Sequence, residues 1–234
     1  MGPELTFRSG LHDVVPTTFG YIGVGLAFGV VSRTSNLSLW TVLLMSLVVY
    51  AGSAQFIITS MLLAGSPISA IIFSAFLVNS RMILMSTSMA QYFKKYSLAT
   101  NVGIGSLLTD ETFALGMNKL NDTDRKLTPV WFNTANVVAY LVWAAATVAG
   151  ALIGNLITDP KAFGLDFALV AMFLGLLYLQ MVSDRSKKLS LQLLVVAFVA
   201  VAVYVLLIFL SANFALLGGT ILGCIFGMVV AKWR

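Results

Sequence analysis

Runs of about 20 mostly apolar residues, each long enough to cross a bilayer, follow one another along this chain with only short polar breaks between them. Clear stretches occupy residues 38–64, 67–91, 130–157, 166–183, 190–210 and 214–232. Two more, 14–32 and 97–118, are apolar but interrupted. The first contains Pro16, Gly20, Gly23, Gly25 and Gly29, and the second reads NVGIGSLLTDETFALGMNKL. Kinked or discontinuous helices are expected there. The longest hydrophilic connector, Lys119–Thr128, is too short for a soluble domain. The expected architecture is therefore all-α, a polytopic transmembrane helix bundle forming one domain over residues 1–234, with about seven spans plus re-entrant or discontinuous segments.

Composition excludes the main alternatives. Charged residues make up 10% of the chain and hydrophobic ones 59%, where a soluble domain carries about 25% charge. Most of the surface must face lipid. The 14 Lys+Arg against 9 Asp+Glu give a net charge of +5, but the basic residues lie in short runs between apolar stretches rather than on one face, so nucleic acid is not expected as a partner. One cysteine, Cys224, and one histidine, His12, leave no material for a disulfide, a zinc site or a Ser-His-Asp triad. No metal, cofactor or enzymatic activity is expected, and the polar first ten residues give no cleavable signal peptide.

Positive-inside counting selects a topology. If 97–118 enters and leaves on one side, a single face collects Arg33, Lys94, Lys95, Lys119, Arg125, Lys126, Arg185, Lys187, Lys188, Lys232 and Arg234. Arg8 and Lys161 lie opposite. This predicts seven crossings, a cytoplasmic C-terminus and an external N-terminus. If 14–32 is itself re-entrant, Arg8 moves inside.

Polar groups at membrane depth cost about 2.5–3.5 kcal/mol for a charged side chain and mark sites or pathways. Arg81 sits near the middle of 67–91, beside Asn79. It suits either an anionic substrate group, held bidentately, or a structural ion pair. Asp110 and Glu111 are its obvious counter-charges. At the tip of a re-entrant segment one would pair with Arg81 and the other would titrate; alternatively both cap a helix beginning at Thr112. Gln55, in YAGSAQF, is either a substrate-lining amide or an interhelical hydrogen-bond partner. A break at Phe19–Gly23 would expose half-helix N–H groups suited to a carboxylate; otherwise the glycines serve close packing. His12–Asp13 reads as interfacial. Asn133 and Asn136 can reach the interior, and the methionines can furnish an adaptable apolar pocket or simple packing.

Four motifs in register, PTTFGYIGVGLAFG, AGSAQF, VNSR and LLTDETFAL, resemble the AzlC family of branched-chain amino acid permeases. The resemblance covers residues 7–160 well and the remainder by hydropathy. The chain departs from the family pattern at Met82–Ile83–Leu84, where an aromatic or basic residue follows the arginine, which leaves the exact substrate open. Matched motif by motif, the resemblance implies Gln55, Asn79, Arg81, Asp110, Glu111 and the glycines of 20–29, Gly20 and Gly23 among them, as functional positions. It also implies an amino acid substrate, export, a small AzlD-type membrane subunit and a bacterial inner-membrane location, and it admits a higher oligomer. Gradient-driven transport is expected because no GxxxxGK[ST] nucleotide motif is present. The competing reading is a pore for a small solute, with Arg81 and Asp110/Glu111 as selectivity charges.

Overall fold

The computed structural model describes residues 5–156, 167, 170, 174–175, 177–178, 181–182, 188–210 and 212–232. All regular elements among them are helical, and the chain divides into two compact units, residues 1–176 and 177–234. The first unit contains α1 (Phe7–Thr34), α2 (Leu39–Leu44, running on as a π-helical turn over Met45–Val49), α3 (Gly52–Leu63), α4 (Ile68–Ala90), α5 (Leu98–Ser106), α6 (Asp110–Asp122) and α7 (Pro129–Gly154). Serine or threonine at the N-cap starts most of them. Thr6, Ser38, Ser97, Thr109 and Thr128 each accept a first-turn N–H, satisfying donors that helix geometry leaves unpaired.

Lengths separate these helices into two classes. α1, α4 and α7 have 28, 23 and 26 residues, at 1.5 Å per residue enough to cross a core of about 30 Å. α2 with its π turn, α3, α5 and α6 are roughly half as long and reach only to mid-membrane.

Contacts fix the direction of each. α1 and α7 run parallel: Gly10 lies against Trp131 and Thr134, Gly25 against Ala146, and Gly154 against Val30 and Arg33. At the end where α1 begins, called proximal here, Leu5, Met89, Phe93, Leu120, Leu127 and Trp131 share one core cluster. Thus α4 finishes at the proximal end, and so does α6, whose Lys119 Nζ lies 2.6 Å from Asp13 Oδ2. At the distal end, Arg33 Nη1 donates to the Leu37 carbonyl just before α2, and Ser32 of α1 meets Thr59 of α3. The segment 39–63 therefore enters from the distal end and returns to it. The segment 98–122 enters from the proximal end and returns there. Each is a hairpin of two half-length helices, and their tips, Tyr50–Ala51 and Leu107–Thr109, meet between the spans.

Two span-plus-hairpin units, α1 with α2–α3 and α4 with α5–α6, thus run in opposite senses, the pattern of an inverted-topology repeat. The re-entrant character expected for 97–118 is present in this geometry, with α6 starting at Asp110 rather than Thr112. Two expectations are corrected. Residues 38–64 do not form a plain crossing, because Tyr50 adopts a left-handed φ of 43° and turns the chain back. Residues 14–32 are not broken: α1 continues through Pro16 and Phe19–Gly23, and Gly20 and Gly23 face open space on its exposed side. The missing N–H of Pro16 is tolerated in a helix packed against neighbours.

The α1–α7 seam uses the other glycines. A Cβ on Gly29 would overlap the Thr147 carbonyl oxygen, and one on Gly150 would overlap that of Leu26. Small residues here let two backbones touch, as in close-packed membrane helix pairs.

These directions alter the charge map. Arg8, Lys94, Lys95, Lys119, Arg125 and Lys126 belong to the proximal end, and Arg33 lies at the distal one. Arg33 was expected with the main basic group and Arg8 opposite it; the turned-back 39–63 hairpin exchanges them. Lys161, Arg185, Lys187, Arg234 and most of 166–183 lie outside the described residues.

In the second unit, α8 (Leu189–Phe209) and α9 (Ala212–Lys232) pack antiparallel. Val203 and Val199 sit in notches at Gly219 and Gly223, and Phe198 stacks on Phe226. None of the residues of α8 is fully buried.

Candidate functional site

The two hairpin tips and the middle of three spans enclose a polar cluster. α4 brings Arg81, whose Nη2 lies 2.8 Å from Asp110 Oδ2 and donates to Ser53 Oγ at 2.7 Å. One guanidinium therefore holds both hairpins, α3 through Ser53 and α6 through Asp110. From α1, the Tyr21 hydroxyl donates to Glu111 Oε2 at 3.0 Å and shares a short hydrogen bond with the Thr109 hydroxyl. Thr109 also closes a capping box with Thr112, which sets the two acidic residues in the first turn of α6, where the helix dipole favours negative charge.

α3 also begins at this point. Its first turn and that of α6 line the same small cavity, together with Tyr21, Tyr50, Ala51, Met82 and Trp143. The enclosed space is about 20 Å³, enough for one water and no more. Beside it lies a more open cleft of about 500 Å³, lined by Leu47–Ala51, Asn79, Met82, Gly105–Leu108 and Tyr140, within the size range of small-ligand pockets. Tyr50, Ala51 and Met82 line both spaces.

Charge in the cluster is balanced. Two helix N-termini contribute about half a positive charge each and Arg81 one more, against the two carboxylates when both are ionised. Adding a proton to either acid leaves a net positive charge that an anionic group would neutralise.

The residues expected from sequence are distributed as follows. Arg81, Asp110 and Glu111 come together in the cluster. Asn79 lies two residues before Arg81, about half a turn round α4, its Oδ1 buried without a hydrogen-bond partner, on the wall of the larger cleft. Gln55 is fully buried behind the α3 turn. It accepts from Trp143 Nε1 at 3.0 Å and donates to Ser46 Oγ at 3.1 Å; Ser46 meets Thr147, and Thr147 donates to the Ala144 carbonyl. This chain of bonds fastens the distal hairpin to α7, so Gln55 acts as an interhelical tie. Asn136 does the same for the proximal hairpin, donating to the Ile104 carbonyl at 3.3 Å. Asp13 accepts from Lys119 and Trp131 and anchors α6 at the proximal end. Gly20 and Gly23 line neither cavity.

Sequence reasoning missed Tyr21, Tyr50, Ser53, Thr109 and Trp143. The available signal was aromatic residues with polar tips inside apolar segments, since a buried tyrosine or tryptophan needs a partner for its O–H or N–H. Among the described residues no group of three or more metal-ligating side chains occurs.

Comparison with known proteins agrees with this arrangement of motifs. Residues 16–157, which include every residue of the cluster, match the AzlC protein family. The chain belongs to the AzlC family. Among relatives of this AzlC-family chain, the Escherichia coli (strain K12) inner membrane protein YgaZ is 28% identical over 98% of the chain and 92% of its own length. An Archaeoglobus fulgidus membrane protein is 35% identical over 73% of the chain and 74% of its length. The Bacillus subtilis branched-chain amino acid transport protein AzlC is 26% identical over 76% of the chain and 69% of its length. No solved structure matches the chain. With these relatives and its long apolar helices, this AzlC-family chain is a multi-pass membrane protein.

Proposed function

We propose that this chain is the substrate-carrying subunit of a secondary transporter, and that it exports branched-chain or similar amino acids across the bacterial inner membrane. The observation that carries this reading is the meeting of two oppositely directed hairpins at Arg81, Asp110 and Glu111, between spans and remote from both ends. A site reached from one side through one hairpin and from the other side through its inverted counterpart suits alternating access. The name of the Bacillus subtilis relative supports an amino acid as the solute; the small AzlD-type subunit proposed as partner rests on the family resemblance alone.

The chemistry is consistent with this substrate class. A zwitterion needs a cation or helix N-terminus for its carboxylate and an acceptor for its ammonium. Arg81 and the α3 first turn serve the first need, and Asp110 or Glu111 the second. The aliphatic side chain fits the larger cleft, and Asn79 supplies a polar contact on its wall. Gradient-driven export calls for exchange: a proton on Glu111 removes the acceptor that the substrate ammonium needs, so protons moving inward and amino acid moving outward use the cluster in turn. In place of the external N-terminus expected from sequence, positive-inside counting on the helix directions favours a cytoplasmic proximal end, with the N-terminus there. Lys188 and Lys232, at one end of the α8–α9 pair, favour a cytoplasmic C-terminus.

The test is efflux from vesicles holding the chain, with and without its small partner, loaded with labelled valine or leucine. Saturable release that unlabelled leucine competes is expected. Flux linear in concentration and indifferent to competitors would replace the transporter with a pore.

A further inference from the structure

The α3 helix begins without a cap. Its N-cap residue is Ala51, extended at φ −143° and ψ 98°, which offers no side-chain acceptor. The neighbouring Ser53 hydroxyl is occupied by Arg81. This helix end is buried, with Ser53 at 1% and Ala54 at 0% exposure, so first-turn N–H groups that would ordinarily take a cap or water face a cavity with room for one water-sized group. The nearby carboxylates do not fill the need. Asp110 is engaged by Arg81 and Glu111 by Tyr21.

Tyr50 provides the second observation. It is 7% exposed and lines the same cavity as Tyr21, whose own hydroxyl is committed to Thr109 and Glu111. Yet the Tyr50 hydroxyl has no partner in hydrogen-bond geometry. A buried phenol without an acceptor costs about 1–3 kcal/mol, and it immediately precedes the uncapped turn.

We propose that the first turn of α3 together with the Tyr50 hydroxyl is the carboxylate subsite of the transported amino acid. The proposal rests on the transport reading above and sharpens it. One carboxylate oxygen takes the N–H groups of α3 and the other takes Tyr50 O–H, with Arg81 as the nearby charge. The flexible side chain of Met82, which borders both cavities, moves aside, and the branched side chain lies in the 500 Å³ cleft against Leu47, Val48 and Leu108. Helix N-termini bind carboxylates by donated N–H bonds and dipole together.

The experiment is calorimetric binding of L-leucine and L-leucinamide to the purified full-length chain and to two variants. Leucinamide keeps the ammonium and side chain but lacks the carboxylate. The wild-type chain is expected to prefer leucine by at least about tenfold, and Tyr50→Phe to erase about tenfold of that preference, the worth of one hydrogen bond to a charged group. Tyr50→Phe keeps the ring that meets Tyr140 edge-on. Ala51→Ser supplies α3 with its own cap. It should weaken leucine binding while leaving leucinamide binding and the melting temperature intact or the latter raised. Unchanged leucine-to-leucinamide ratios in both variants, or a wild-type chain that does not distinguish the two compounds, would overturn the subsite alone. Binding of neither compound would overturn the amino acid reading and the subsite with it.

Discussion

Arg81 is tied to both hairpins, and the consequences of changing it follow from its surroundings. Its side chain is 30% exposed and that of Asp110 8%. Breaking a fully buried ion pair costs about 3–5 kcal/mol; with the arginine partly exposed, Asp110→Asn should cost about 2 kcal/mol, read as a lowered melting temperature in detergent. Arg81→Ala should abolish amino acid efflux while membrane insertion, followed by fractionation, stays normal. A variant that transports at the wild-type rate would remove Arg81 from substrate handling. Glu111→Gln keeps an acceptor for the Tyr21 hydroxyl but cannot exchange a proton, so transport should lose its pH dependence. A pH profile superimposable on wild type would exclude Glu111 from coupling. At this scale the sequence was informative for charges. Arg, Asp and Glu in apolar stretches stand out because lipid penalises them. The tyrosines and Ser53 did not stand out, because their polar atoms are single and their bodies apolar.

Among the elements, hydropathy could not separate a crossing from a return. The 39–63 hairpin and a full span both need about 20–25 apolar residues, because both lie at membrane depth. What distinguishes the hairpin is the left-handed turn at Tyr50, a conformation that a tyrosine does not announce. The 98–122 hairpin was legible because the basic runs Lys94–Lys95 and Arg185, Lys187 and Lys188 collect on one face only if the segment between them returns. In a Cys224→Ser background, cysteines placed at Ser35 and Ser66 should label from one side of the membrane. Cysteines at Tyr96 and Asn121 should label from the other. Opposite-side labelling of Ser35 and Ser66 would show that 39–63 crosses. The glycine seam gives a prediction of the same rank. Gly29→Val drives a side chain into the Thr147 carbonyl and should destabilise the fold by about 3 kcal/mol or more, since backbone on both sides cannot repack as a side chain would. Gly20→Val, in open space, should leave the melting temperature nearly unchanged.

Taken as a molecule, the chain's orientation rests on the basic proximal end. A protease site inserted after Gly2 should be cut from the cytoplasmic side only; cleavage from outside would invert every assignment of inside and outside made above. The inverted arrangement of the two span-plus-hairpin units was not readable from sequence. The segments share shape and apolar character but no motif that repeats by eye, and hydrophobic burial tolerates wide substitution as long as polarity and size are kept.

The seam between α1 and α7 also says where movement is permitted. Where Gly29 and Gly150 lay backbone on backbone no side chain can change rotamer to let the helices slide, so those two helices form a chassis. Opening toward either face of the membrane must be carried by α4 and the hairpins, whose joints are built from methionine, aromatic rings and single hydrogen bonds. Spin labels on the outer faces of α1 and α7 should therefore report one fixed separation throughout a transport cycle. They would serve as the internal ruler against which the travel of a label at either hairpin is measured.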